Sequence, residues 1–464
     1  MPADSGATVP AGSGTRLPVL DRRRAGVLLH LSALGPGALG DPAHRFVDWL
    51  ASAGFSVWQI LPVGPTGADG SPYWVGSDCA GNDAFIDPSR LPPAHGPRWE
   101  SFLRSSADWL DDYALHAVLR AQHRGAPWQD WPAALRDREA LALRRAREAH
   151  EAAIQSVRRS QFAFHEQWRA LRAHAHGRGV RLFGDVPIYV APDSVETWAH
   201  RDQFLLDAAG RAMLVAGVPP DYFAADGQLW GNPLYDWARM ARDSFAHWRR
   251  RIRHQLERFD LLRIDHFRGL ESHWAVPAAA STAREGAWLP TPGDALLQAL
   301  SQDAPDLPVV AEDLGEITAE VDALRRRFAL PGMHVLQFAF DGNPDNPHLP
   351  HRHAPDGVVY TGTHDNDTLR GWLTGLDDAT RERAQFYLRA PSSEVPTALH
   401  RAALGSVGRL AVLPVQDLLE LGSEARFNTP GTTTGNWAWQ LPANALDAGL
   451  AEWFARLNHV FGRA

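Results

Sequence analysis

The stretch LLRIDHFRGL (261–270) opens like a buried strand, yet Arg263, Asp265, His266 and Arg268 are packed into it. Bare charges in a core cost several kcal/mol or neutralise. Three more apolar runs also end in acids. VRLFGDVPI (180–188) holds Asp185, PVVAEDLG (308–315) holds Glu312 and Asp313, and GVVYTGTHD (357–365) ends on Asp365. Side chains repeat every second residue along a strand, so Arg263 and Asp265 share one side. There the guanidinium can hold the Asp265 carboxylate ionised in a partly desolvated site. Taken alone, that pair could be a structural ion pair. Four acidic strand ends together suit glycoside bond cleavage: one carboxylic acid protonates the leaving oxygen, and a second carboxylate attacks or activates water. In retaining enzymes the two stand ~5–5.5 Å apart, a spacing that neighbouring barrel strands carrying Asp265 and Glu312 can provide.

Such acids work together only if the chain gathers the strand ends. Eight short apolar runs recur, at 25–30, 57–63, 180–188, 260–267, 308–315, 334–340, 357–365 and 408–417. Helix-like segments lie between some of them, at 43–54, 316–328 and 378–390. Strands alternating with helices predict an α/β chain folded as a closed parallel (β/α)8 barrel, whose active site lies at the carboxyl ends of its strands. Residues 64–179 and 189–259 exceed simple crossovers and read as helical insertions over that face. Residues 1–18 read as a flexible lead-in, and 19–464 as a single catalytic barrel. A long Arg- and Ala-rich stretch, roughly 133–176, reads as helical with a solvated charged face.

Composition narrows the chemistry. The chain of 464 residues is 45% hydrophobic and 22% charged, as soluble globular proteins are. A net charge of -8 argues against a nucleic-acid surface. No apolar run reaches the ~18 residues of a membrane-spanning helix. All 46 basic residues are arginine, which excludes Schiff-base, pyridoxal-phosphate and Walker-type lysine chemistry. The single cysteine, Cys79, forbids an internal disulfide or a cysteine metal cluster and suits a cytoplasmic setting. Neither a cofactor nor a metal is expected. GPGALG (35–40) matches a dinucleotide fingerprint, but no acid follows ~20 residues on, so it reads as a turn. HLPHRH (348–353) contains a metal-like H-x-H pair, yet its prolines place it in a loop. Among 18 tryptophans, Trp74, Trp230 and Trp437 lie in loop contexts that suit stacking on sugars. Asn366 and Asp367, beside Asp365, belong either to the site or to a cap of the segment that follows them.

Longer stretches carry a resemblance. GDVPIYVAPDSVETWAH (184–200), VAGVPPDYFAADGQLWGNPLY (215–235), RIDHFRG (263–269), AEDLG (311–315), LPGMHVLQFAFD (330–341), VVYTGTHDNDT (358–368), LPVQDLLELGSEARFNTPG (413–431) and GNW (435–437) run in order along nearly the whole chain. The chain thereby resembles 4-α-glucanotransferases of the amylomaltase (disproportionating enzyme) family, relatives of the α-amylases. The resemblance implies a barrel with no separate C-terminal β-domain. It implies Asp265 as nucleophile, Glu312 as general acid/base and Asp365 as transition-state stabiliser. Arg263, His364, Asp185, Tyr73, Trp230, Phe338 and Asn436 are implied as substrate contacts, with residues 217–232 as a mobile acceptor-side loop. Its donor and acceptor would be maltooligosaccharides or other α-1,4-glucans. An amylase-like hydrolase, a phosphorylase of the same clan and a non-catalytic glucan-binding protein are the alternatives. SPYWVGSDCAGN (71–82) departs from the family pattern at Trp74 and at Asp78-Cys79. The stretch 28–41 also lacks a proline common in the family after the first strand. Both departures bear on donor-side or remote glucan contacts.

Overall fold

The computed structural model describes residues 17–220, 225–432 and 434–464. Most of the proposed lead-in, and residues 221–224 of the acceptor-side loop, lie outside the described residues.

All eight apolar runs contain a strand, and the eight strands lie parallel side by side. They are Arg24–Leu28, Val57–Gln59, Arg181–Val186, Leu261–Ile264, Val309–Ala311, Met333–Val335, Val358–Tyr360 and Leu410–Pro414. Their residues are almost all buried, as expected of a parallel sheet covered on both faces. The first strand pairs with both the second and the eighth, Leu28 opposite Gln59 and Pro414. Between the fifth and sixth strands the regular ladder lapses, but Ala311 N–H donates to Pro331 O at 2.8 Å. The ring is thus a nearly closed barrel.

Helices return the chain between most strands. Asp41–Ser52, Gly293–Asp303 and Ala319–Arg327 follow the first, fourth and fifth. The sixth strand is the exception. Only 3-10 turns, Leu336–Phe338 and Pro350–Arg352, lead from it to the seventh. Pro344, Pro347, Pro350 and Pro355 in that connection lack the amide donors a helix requires. Inside it, HLPHRH forms a packed loop in which His353 stacks on His334 at 4.6 Å, and among the described residues no group of side chains is arranged to hold a metal. GPGALG is likewise a turn, with Gly35 and Gly37 at positive φ. After Pro414 no strand occurs among the described residues, and the last helix, Ala448–Val460, packs on Asp41–Ser52. No described helix is long and apolar enough to cross a membrane.

Between the second and third strands lie several helices, the longest being Glu151–Gly177. It buries Ile154, Phe162, Phe164, Trp168 and Leu171, while Arg159 and Arg169 are exposed and Arg158 and Arg172 are half-buried, paired with Asp111 and Asp260. The Arg- and Ala-rich stretch is helical in three pieces, Ala133–Arg136, Ala140–Ala149 and this one.

A second sheet lies outside the pattern of eight apolar runs. Four antiparallel strands, in the order Gln228–Pro233, Leu214–Val218, Ser272–Pro277 and Ala287–Pro290, sit beside the barrel. Two come from the connection before the fourth barrel strand and two from the connection after it. Trp230 is on this sheet.

The departure at Asp78 has a structural partner. Asp78 Oδ1 lies 2.8 Å from Arg251 Nε, and both side chains are almost wholly buried. Arg251 also donates to Ile188 O at 3.1 Å and to Pro187 O, just beyond the third strand. Removing one member of a buried pair leaves the other charge uncompensated, at a cost of about 3–5 kcal/mol. Asp78→Ala should therefore lower unfolding free energy by roughly that amount, read by urea denaturation. A loss under ~1 kcal/mol, the range of an exposed pair, would contradict this role.

Candidate active site

Strand register assembles the site. Asp185 on the third strand is directly opposite Arg263 on the fourth. Arg263 Nη1 donates to both Asp185 oxygens, at 2.9 and 2.8 Å. Its Nη2 lies 3.0 Å from Asp265 Oδ1 and 4.0 Å from Glu312 Oε2. One guanidinium thus contacts two carboxylates and lies near a third, which places Asp265 and Glu312 in a single compartment. Exposure separates their tasks. The Asp185 and Arg263 side chains are 0% and 5% accessible, those of Asp265, Glu312 and Asp365 27%, 12% and 43%. Asp185 is a buried brace, while the other three reach solvent.

Glu312 is held by the backbone. Its Oε2 accepts from His266 N–H at 2.6 Å and its Oε1 from Leu314 N–H at 3.2 Å. His266 has φ 49°, the left-handed region that side chains seldom adopt outside turns and functional sites. That turn follows Asp265, one residue beyond the strand, and points the amide at Glu312.

The protonation pattern is more subtle than an arginine fixing one charge. Burial raises the Asp265 pKa; Arg263 opposes this, and Asp185, Glu312 and Asp365 add to it. Burial also raises Glu312, against Arg263 and the His266 amide. Arg263 gives two of its bonds to Asp185 and so cannot neutralise every neighbour. The Asp265–Glu312 pair therefore titrates as a unit that holds a proton above the ordinary carboxylate range.

Asp365 follows the seventh strand. Its Oδ1 accepts from Asn428 Nδ2 at 2.6 Å and lies 3.3 Å from His364 Nε2. Its backbone carbonyl accepts from Arg426 Nη2 at 2.7 Å. The His364 ring stacks on Tyr73 with centroids 5.0 Å apart, and Trp437 closes on both at 6.0 Å. Tyr73 donates its hydroxyl to Asp185 Oδ2 at 2.9 Å. On the other flank Trp230 meets His266 edge-to-face at 4.9 Å.

Two of the expected contacts, Asn436 and Phe338, have partners outside the acidic cluster. Both ends of the Asn436 amide are engaged inside its own loop, with Thr429 N–H and with Thr432. Its neighbour Trp437 is the residue that packs on His364. Phe338 is 42% exposed on the turn after the sixth strand, with His348 as its aromatic partner. Asn428 and Arg426 escaped the sequence reading, although they lie in the ARFN of a quoted stretch. Their partners are Asp365 and its backbone, some sixty residues away. Asn366 and Asp367 do not cap the following helix; Thr368 does, accepting from Gly371 N–H at 3.1 Å.

A (β/α)8 barrel with paired carboxylates at its strand ends defines the class of carboxylate-dependent, glycoside-active barrels. Within that class the chain belongs to the 4-alpha-glucanotransferase family, glycoside hydrolase family 77, whose model matches residues 29–100 and 92–445. It is 44% identical to the 4-alpha-glucanotransferase of Thermus thermophilus, over 90% of this chain and 95% of that one. The corresponding Synechocystis protein is 41% identical, over 96% and 99%. Amylomaltase from Streptococcus agalactiae, solved with acarbose, superposes with a TM-score of 0.91 at 30% identity, covering 96% of this chain and 100% of that one.

Proposed function

We propose that the protein is a 4-α-glucanotransferase that moves α-1,4-glucan segments between maltooligosaccharides by a retaining double displacement. One observation carries the mechanism: a single nitrogen of Arg263 lies within 4.0 Å of both Asp265 and Glu312. Asp265 attacks the anomeric carbon while Glu312 gives its proton to the departing 4-oxygen; the C1–O4 bond breaks and a C1–Asp265 ester forms. A 4-hydroxyl of an acceptor glucan then gives its proton to Glu312 and attacks C1, and the ester bond breaks. Asp365 grips sugar hydroxyls of the distorted ring. His364, Tyr73 and Trp437 form the wall on one side, and Trp230 flanks the acceptor side.

Transfer must outrun hydrolysis although water is abundant. An ordered acceptor that displaces water achieves this. The strand carrying Trp230 borders His266, which supports the acceptor-side assignment of 217–232. Residues 19–464 act as one catalytic unit, with the insertions at about 64–179 and 189–259 roofing the active face. Cys79 is buried and unpaired, which fits a reducing cytoplasm.

Incubation with maltotriose tests the activity. Glucose plus a ladder of longer maltooligosaccharides is expected. Glucose and maltose alone would mean hydrolysis, dependence on phosphate would mean phosphorolysis, and binding without product would mean a non-catalytic protein.

A further inference from the structure

The loop bearing Asp365 is held chiefly by hydrogen bonds. Beside it lies a cavity of about 20 Å³, lined by His30, His364, Asp367, Gln416, Asp417 and others, room for roughly one water. Four side chains after the sixth and eighth strands reach the loop, and of these Arg426 also lines the cavity. Gln337 donates to Asp367 O at 2.7 Å and Ser423 to Asp367 Oδ2 at 2.7 Å. Arg426 and Asn428 hold Asp365 itself. Asp417 does something different. Its Oδ2 accepts from the Thr361 hydroxyl and its Oδ1 from Leu369 N–H, both at 2.8 Å. Thr361 follows directly on the seventh strand and Leu369 is the first residue of the next helix, so one carboxylate closes 361–369 into a ring.

Asp417 is only 2% exposed, and among the described residues no arginine or histidine pairs with it. A buried carboxylate without a cation is costly, and a well-packed apolar residue would ordinarily be more stable there. The polar group makes sense if a fixed loop is what it provides. Asn428 and His364 both approach Oδ1 of Asp365, and no hydrogen bond from the described residues reaches Oδ2. Oδ1 is thus the anchored oxygen, and its position depends on where the loop that Asp417 closes holds residue 365.

We propose that Asp417 is the positioning residue of Asp365, acting through Thr361 and Leu369 to hold that carboxylate where the transition state needs it. The inference rests on the assignment of Asp365 as transition-state stabiliser. Misplacement of a catalytic group by ~1 Å costs about 10²-fold. Asp417→Ala should accordingly lower kcat with maltotriose by roughly 100-fold and leave KM within about threefold. Asp417→Asn should recover most of that loss, because its carbonyl can accept from Leu369 and its amide can donate to a rotated Thr361 hydroxyl. Thr361→Val, which cuts one side of the ring, should lose about tenfold in kcat alone.

The deciding readout is non-additivity. Asp417→Ala combined with Asp365→Asn should be no slower than Asp365→Asn alone. Losses that multiply, a loss confined to KM, or near wild-type kcat in Asp417→Ala would overturn the proposal. If Asp417→Ala does not fold, Thr361→Val is put through the same cycle with Asp365→Asn, and the same outcomes decide. Near wild-type kcat in Asp365→Asn alone would instead remove the role of Asp365, a distinguishable result.

Discussion

Replacing Asp265 by Asn is expected to lower kcat for maltotriose disproportionation by roughly 10⁴-fold or more, the scale seen when a nucleophile is removed. An amide oxygen is a poor nucleophile and leaves no stable ester. The fold should survive. Arg263 keeps both of its bonds to Asp185, so no buried charge is orphaned. Stability should in fact be equal or higher. The folded-state pKa of Asp265 is raised by burial and by three neighbouring carboxyls, so at neutral pH its ionised form works against folding. Asn removes that burden. The expected result is an inactive protein with an unchanged or higher Tm. Turnover within tenfold of the parent would remove Asp265 as nucleophile. A sharp fall in Tm would mean that the carboxylate is structural.

Glu312→Gln carries the second large effect, and its size should depend on the donor. With maltotriose the departing 4-oxygen needs a proton, and loss of a general acid costs typically 10²–10⁴-fold. With an α-maltosyl fluoride the leaving group needs none, so ester formation should stay within about tenfold of the parent. The second step then lacks its base, and azide, which needs no deprotonation, should restore turnover and yield an α-maltosyl azide. Burial raises the Glu312 pKa, so in the parent the acid form persists above the usual carboxylate range and activity falls as pH rises through it. That alkaline limb should vanish from fluoride cleavage by the Gln protein. Equal slowing with both donors would contradict the acid role.

The acids at the strand ends were legible because each closes a short apolar run, an unusual place for a charge. The barrel was legible for the same reason: eight runs of β-branched and aliphatic residues are hard to bury otherwise. What escaped depends on contacts between distant segments. Period-two patterning put Arg263 beside Asp265, but only register shows that its main partner is Asp185 across the next strand. The His266 amide that holds Glu312 depends on one left-handed residue, which no pattern announces. The small sheet was hidden because two of its strands, Ser272–Pro277 and Ala287–Pro290, lie in a connection that contains a crossover helix as well. Asp78 showed only as a departure from the family pattern; its meaning required Arg251, far along the chain.

Brief incubation of the Glu312→Gln protein with α-maltosyl fluoride, acid quenching, peptic digestion and mass spectrometry addresses the Asp265 ester directly. A maltosyl unit attached to the peptide through Asp265 is the predicted result. Attachment to another carboxylate, or fluoride release with no trapped sugar while transfer products accumulate, would contradict it.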